Sequence, residues 1–139
     1  MLYVKKRSIT SFFNLFAYNS LGDNMDDLFE LAEKEMFELK HPYVGTEHFL
    51  LAYLKKYKNN YIDYETFKKE VIDVIGFSYK ESEYILYTPI LRDIKNNCNN
   101  IYEAMVKILT DDNCIAYNIL LVNEEDIEAI YLNVINTNY

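Results

Sequence analysis

Between residues 25 and 39, Met25, Leu28, Phe29, Ala32, Met36 and Leu39 form an apolar series mostly three or four positions apart. An α-helix gathers that spacing onto one face and a strand scatters it, so the period dictates helix before any other property is weighed. Glu30, Glu33, Lys34 and Glu38 fall mainly off that face. The same period returns in Leu50, Leu51, Tyr53, Leu54 and Tyr57, in a helix expected to begin near Thr46. A break at Asn59-Asn60 follows, and Phe67, Val71, Val74 and Ile75 define a third helix closed by Gly76, the residue type suited to a left-handed terminator.

Punctuation marks the second half. Thr88 caps and Pro89 takes the first helical position, where its missing N–H is harmless. From there Leu91, Ile94, Cys98, Ile101, Met105 and Ile108 keep one stripe. Asn96, Asn97, Asn99 and Asn100 either divide it into two helices or lie on its wet face. A short helix is expected from about Cys114 to Leu121. The last is expected from Asn123, with Glu124, Glu125 and Asp126 in its first turn and Ile127, Ile130, Tyr131 and Val134 inward. Asp23 or Asn24 is placed to cap the first helix. With only 3 Gly and 2 Pro in 139 residues, turn-rich β architectures are disfavoured and the fold class is all-α. The segments read as two alike helical bundles, about 23–76 and 87–135, within one domain spanning 23–139.

Residues 1–22 differ from the rest. They hold Lys5, Lys6 and Arg7 and no acid, and read as an arm or targeting extension, with Phe12, Phe13 and Phe16 available to dock on the domain. The expected setting is intracellular, in cytoplasm or, if that segment is a transit peptide, in an organelle stroma. Cys98 and Cys114 lack metal-ligand spacing and read as reduced. The formal charge of −8 disfavours a nucleic-acid partner and permits a basic protein segment. No apolar run reaches the roughly 20 residues of a bilayer span, so stable membrane insertion is not expected.

The candidate chemistry lies in HPYVGTEHFLL, residues 41–51. Thr46 is suited to capping the helix, and Glu47 in its first turn meets the positive end of the helix dipole, while Gly45 permits a sharp turn into it. The zincin order His-Glu-x-x-His is absent, because Glu47 precedes His48, and no metal is expected. Gly22, Gly45 and Gly76 form no phosphate-cradling loop, so no nucleotide and no other cofactor is expected. Tyr43, Tyr53, Tyr57, Tyr61 and Tyr64 cluster in the first half, as core filling or as interface anchors.

The stretch from His41 to Leu51 resembles the signature of the Clp N-terminal repeat domain, carried in front of AAA+ unfoldase engines. Tyr87-Thr88-Pro89 is similar to the opening of that family's second repeat, and Lys69 to Gly76 to the close of its first; the likeness spans about residues 21–135. It implies a duplicated helical fold without catalysis, and partners that are protein substrates or adaptors of a Clp-type unfoldase. It also implies roles in ligand contact for Glu47, Thr46, Thr88 and Glu103, with Gly45, His48 and Pro89 shaping the motif. In some members the motif glutamate receives the guanidinium of a phosphorylated arginine, a fit of carboxylate to planar fork, while a threonine opening each repeat helps hold the phosphate. This chain departs from the pattern: Gly22 stands where one threonine would be, Ile90 replaces an arginine, and Ile101-Tyr102-Glu103-Ala104 keeps only the acid of a second motif. The connection from Leu54 to Ile62 is short enough to omit a helix. Two other classes compete with this reading. One is an unrelated acidic helical binding protein; the other is a small hydrolase or metal protein using Glu47 and His48.

Overall fold

The helical period becomes seven helices in the computed structural model, which describes residues 3–6, 25–77 and 84–139. The order is β1 (Tyr3–Lys6), α1 (Met25–Leu39), α2 (Thr46–Lys56), α3 (Tyr64–Ile75), β2 (Tyr84–Tyr87), α4 (Pro89–Asn97), α5 (Ile101–Thr110), α6 (Ile115–Val122) and α7 (Ile127–Ile135). The protein is all-α. Its two strands form one small antiparallel ribbon, Tyr3 opposite Tyr87 and Lys6 opposite Tyr84. Thus part of the expected arm, residues 3–6, adds a strand to β2. The remainder of that arm, with Phe12, Phe13 and Phe16, lies outside the described residues, as do Gly22, Asp23 and Asn24.

The apolar stripe of α1 is buried as its spacing requires, from Met25 to Leu39. It packs chiefly on α2, whose residues from Thr46 to Leu54 are all buried. Helix α6 is the hub: it meets α2, α3, α5 and α7, and it buries Ala116, Ile119 and Leu120. The four asparagines do divide the long stripe, because Asn100 accepts from Glu103 N and starts α5 afresh after Cys98 ends α4. No helix lies between Lys56 and Tyr64, so the first stretch carries three helices and the second four among the described residues. That loop is tied across the molecule instead. Asn59 Nδ2 donates to Ile130 O at 3.2 Å, and Asn60 N donates to Asn133 Oδ1 at 2.6 Å.

Three expectations need correction. Val74 and Ile75 are exposed, and only Phe67, Glu70 and Val71 of α3 are buried. Glu33 is not on a wet face: it is buried and accepts from Tyr87 OH at 2.6 Å, and Glu35 is likewise buried beneath Tyr64 OH. A buried carboxylate needs such a donor, and aromatic hydroxyls supply two of them. The last helix begins at Ile127, with Asp126 as its cap and Glu124 at a positive φ of 58°, so Glu124 and Glu125 precede it. The tyrosines split: Tyr53 is buried against Tyr57 and Tyr139, with its hydroxyl 2.5 Å from that of Tyr139, while Tyr43 and Tyr61 are exposed. Among the described residues no helix is long and apolar enough to cross a membrane.

Candidate functional site

The start of α2 is where four parts of the chain meet. Val44 lies beside β2, donating to Leu86 O at 2.7 Å and accepting from Thr88 N at 3.0 Å. Two residues on, Thr46 Oγ1 accepts from Ala116 N of α6 at 3.1 Å. Thr46 therefore does not cap its own helix; it caps another. The cap of α2 comes from His48, whose Nδ1 accepts from Gly45 N at 2.9 Å, the place a glutamate or glutamine usually fills in a capping box.

That one bond fixes a chain of protons. A nitrogen that accepts from a backbone N–H carries no proton, so neutral His48 is protonated on Nε2. Its Nε2 donates to His41 Nδ1 at 2.8 Å, and His41 Nε2 in turn donates to Gly76 O at 2.7 Å. Gly76 closes α3 with φ of 84°, a conformation that favours glycine. The chain thus bolts the start of α2 to the exit of α3 through two buried rings. Burial, and next the neighbouring His41, push the His48 pKa down to about 3.

Glu47 is buried too, at 4% exposure, and its Oε1 has no hydrogen-bond partner. Its carboxyl folds back over Gly45: a Cβ on that residue would meet Oε1 at 2.0 Å. Gly45 has φ of −118°, which any residue adopts, so its glycine leaves room for the folded-back Glu47 carboxyl and serves no sharp turn. Loss of water pushes the Glu47 pKa up to about 7, against the opposing pull of the N–H groups of Glu47 and His48. An acid beside two histidines invites a catalytic reading. Here, however, the nitrogens are all occupied by protein groups, and His48 Nδ1, 3.8 Å from Glu47 Oε1, already accepts from the backbone. Among the described residues no group of three or more His, Cys, Asp or Glu is placed to hold a metal ion.

In front of this junction lies a cavity of about 340 Å³ between the N-terminal ends of α2, α4 and α6, lined by Thr46, Thr88, Pro89, Ile90, Asn113, Cys114 and Ile115. Its two hydroxyls face inward duties: Thr46 serves Ala116, and Thr88 Oγ1 caps α4 by accepting from Leu91 N at 3.4 Å. Pro89, at the first position of α4, adds an apolar wall as well as a helix start. Burial pushes the Cys114 thiol up to about 11, so it behaves as a small apolar surface.

Of the residues singled out from sequence, Thr46 and Thr88 share this cavity, while Glu47 and Glu103 do not line it. Glu103 is employed at the start of α5, where its Oε2 accepts from Asn99 N at 3.2 Å. Sequence reasoning did not bring in Asn113, Cys114 and Ile115, which come from the start of α6 and the turn before it. It also passed over the pairing of His41 with His48, though the only two histidines of the chain flank one motif. No family model matches the chain, and no curated protein matches it either.

Proposed function

We propose that this protein is a non-enzymatic interaction module, similar in plan to the Clp N-terminal repeat domain, that takes protein segments into the cavity between Thr46 and Thr88. On this reading the partners are substrates or adaptors of a Clp-type AAA+ unfoldase. The pairing of α1, α2 and α3 with α4, α5 and α7 would be the family's duplication, α6 having no counterpart in the first half. One observation carries the reading: the motif threonine and the threonine of Thr-Pro, 42 positions apart by their numbers 46 and 88, open onto one cavity.

The same cavity argues for the kind of segment. Both hydroxyl oxygens accept from backbone N–H groups, no basic residue lines the walls, and Glu47 is folded away over Gly45. A phosphate would find no cation among the lining residues, whereas a branched or aromatic side chain would displace water from Pro89, Ile90 and Ile115. The favoured occupant is therefore an apolar side chain of an unfolded segment, and phosphoarginine is disfavoured. Titrating the isotope-labelled chain with dephosphorylated casein, an unfolded polypeptide, is expected to shift the signals of Thr46, Thr88, Ile90 and Ile115 together. Ile115→Asp is expected to weaken binding about tenfold or more. Shifts confined to other surfaces, or equal binding by Ile115→Asp, would defeat the reading.

A further inference from the structure

Strand β2 is held by the helical body along one edge and by the start of the chain along the other. On the body side, Val44 N donates to Leu86 O at 2.7 Å and Thr88 N donates to Val44 O at 3.0 Å. The side chains of Ile85 and Tyr87 are buried, and Tyr87 OH reaches Glu33, so β2 is anchored without help from β1. Backbone groups along a strand turn alternately to its two edges. Residues 86 and 88 face Val44, so Ile85 and Tyr87 turn their N–H and C=O groups to the opposite edge. There β1 lies antiparallel, Lys5 opposite Ile85 and Tyr3 opposite Tyr87, the two pairs that exchange hydrogen bonds.

The occupant of that edge is a poor match for it. β1 is four residues long, and residues 7–24 separate it from α1. A two-stranded ribbon of this size has little stability of its own. Lysine is depleted in strands, and Lys5 holds the register position opposite buried Ile85, where a β-branched or aromatic residue would pair best. We propose that this edge of β2 is a docking groove for an extended segment of another polypeptide, with β1 seated in it as a displaceable internal competitor. The segment pairs antiparallel through the backbone of Ile85 and Tyr87 and carries apolar residues opposite both. β1 itself displays the direction and register that such a segment takes.

The groove and the Thr46–Thr88 cavity are read at different residues, Ile85 and Tyr87 here and Ile115 there, so either can fail alone. A covalently joined competitor acts at a higher effective concentration than a dilute partner, and unseating it strengthens partner binding. Proline separates the bonded positions of β1 from the others. Lys5 N–H faces Ile85, so Lys5→Pro removes a ladder bond, whereas Val4 N–H faces away and Val4→Pro keeps the ladder.

The probe is a blocked, fluorescently labelled hexapeptide, Met-Leu-Tyr-Val-Val-Lys, which is the first six residues of the chain with valine for the lysine opposite Ile85. In the full chain, Lys5→Pro is expected to bind it about tenfold or more tightly than the wild type or Val4→Pro, by fluorescence anisotropy. Added peptide should slow hydrogen exchange at Ile85 and Tyr87 in Lys5→Pro, and a peptide N-methylated at the two residues facing them should not. In the wild type, Ile85 and Tyr87 should exchange at least about tenfold faster than Thr88, whose N–H bonds to the body side of the same strand. Equal affinity of the two proline variants would overturn the proposal. So would equal exchange at Ile85, Tyr87 and Thr88, which would make β1 a permanent cover for an edge strand. A wild-type dimer that Lys5→Pro dissociates, seen by sedimentation, would give the groove to a second copy instead. Should Lys5→Pro fail to fold, the wild-type exchange contrast decides by itself.

Discussion

The first turns of α2 and α5 do the same local job with opposite means. At α5, Asn100 Oδ1 accepts from Glu103 N at 2.9 Å and Glu103 Oε2 accepts from Asn99 N, all at the surface. At α2, the cap is a histidine at 1% exposure, its second nitrogen committed to His41. A helix start needs only a few acceptors, and short polar side chains at the surface provide them for about 1 kcal/mol. What the buried version adds is connection: the start of α2 is tied to α3 through His41, to α6 through Thr46 and to β2 through Val44. The start of α5 is a local device and that of α2 a junction.

The largest test of that contrast is His48→Ala. It removes the acceptor of a buried N–H and strands His41 without its donor, and about 3 kcal/mol of stability should be lost. Urea denaturation followed by circular dichroism measures it; a loss no larger than that of an exposed cap would make the two helix starts equivalent. Next comes Thr46→Val, which keeps shape but leaves Ala116 N without its acceptor. A loss of about 1–3 kcal/mol is expected, together with faster exchange at the start of α6 rather than of α2.

Titration separates the two helix starts further. The folded pKa of Glu47 lies above its unfolded value, so the stability it contributes is complete below pH 4.5 and is lost as pH rises through about 7. His48 has the opposite sign: its folded value is depressed, so its contribution is complete above pH 6.5 and is lost as pH falls toward 3. In the wild type the two largely cancel between pH 5 and pH 8. Urea denaturation of Glu47→Gln, which keeps only the His48 dependence, should therefore show a gain in unfolding free energy from pH 5 to pH 8 relative to the wild type, on the order of 1–3 kcal/mol. The smallest effect is at the surface cap, where Asn100→Ala should remove about 1 kcal/mol and leave the α2 amides unchanged. A larger loss there would mean that α5 begins at a junction as well.

The contrast also explains what could be read from the chain. The interior of α1 follows directly from a three-and-four spacing, because burial of a helical face depends on the helix's own period. Thr88-Pro89 predicts the start of α4 for the same local reason. Val74 and Ile75 keep the right period yet are exposed, because none of the described residues covers that side of the last turn of α3. Glu33 and Glu35 read as polar and are buried, because Tyr87 and Tyr64 arrive from far along the chain to satisfy them.

Periodicity, caps and a scarcity of glycine and proline are properties of neighbouring residues, and they alone made this chain a string of short helices. The meaning of glycine-threonine-glutamate-histidine was not decided there. Thr46 gained its role from Ala116 and His48 from His41 and Gly76, while Gly45 is glycine to make room for a folded-back carboxyl. Such bonds depend on which distant groups packing brings within about 3 Å, and no local spacing encodes that.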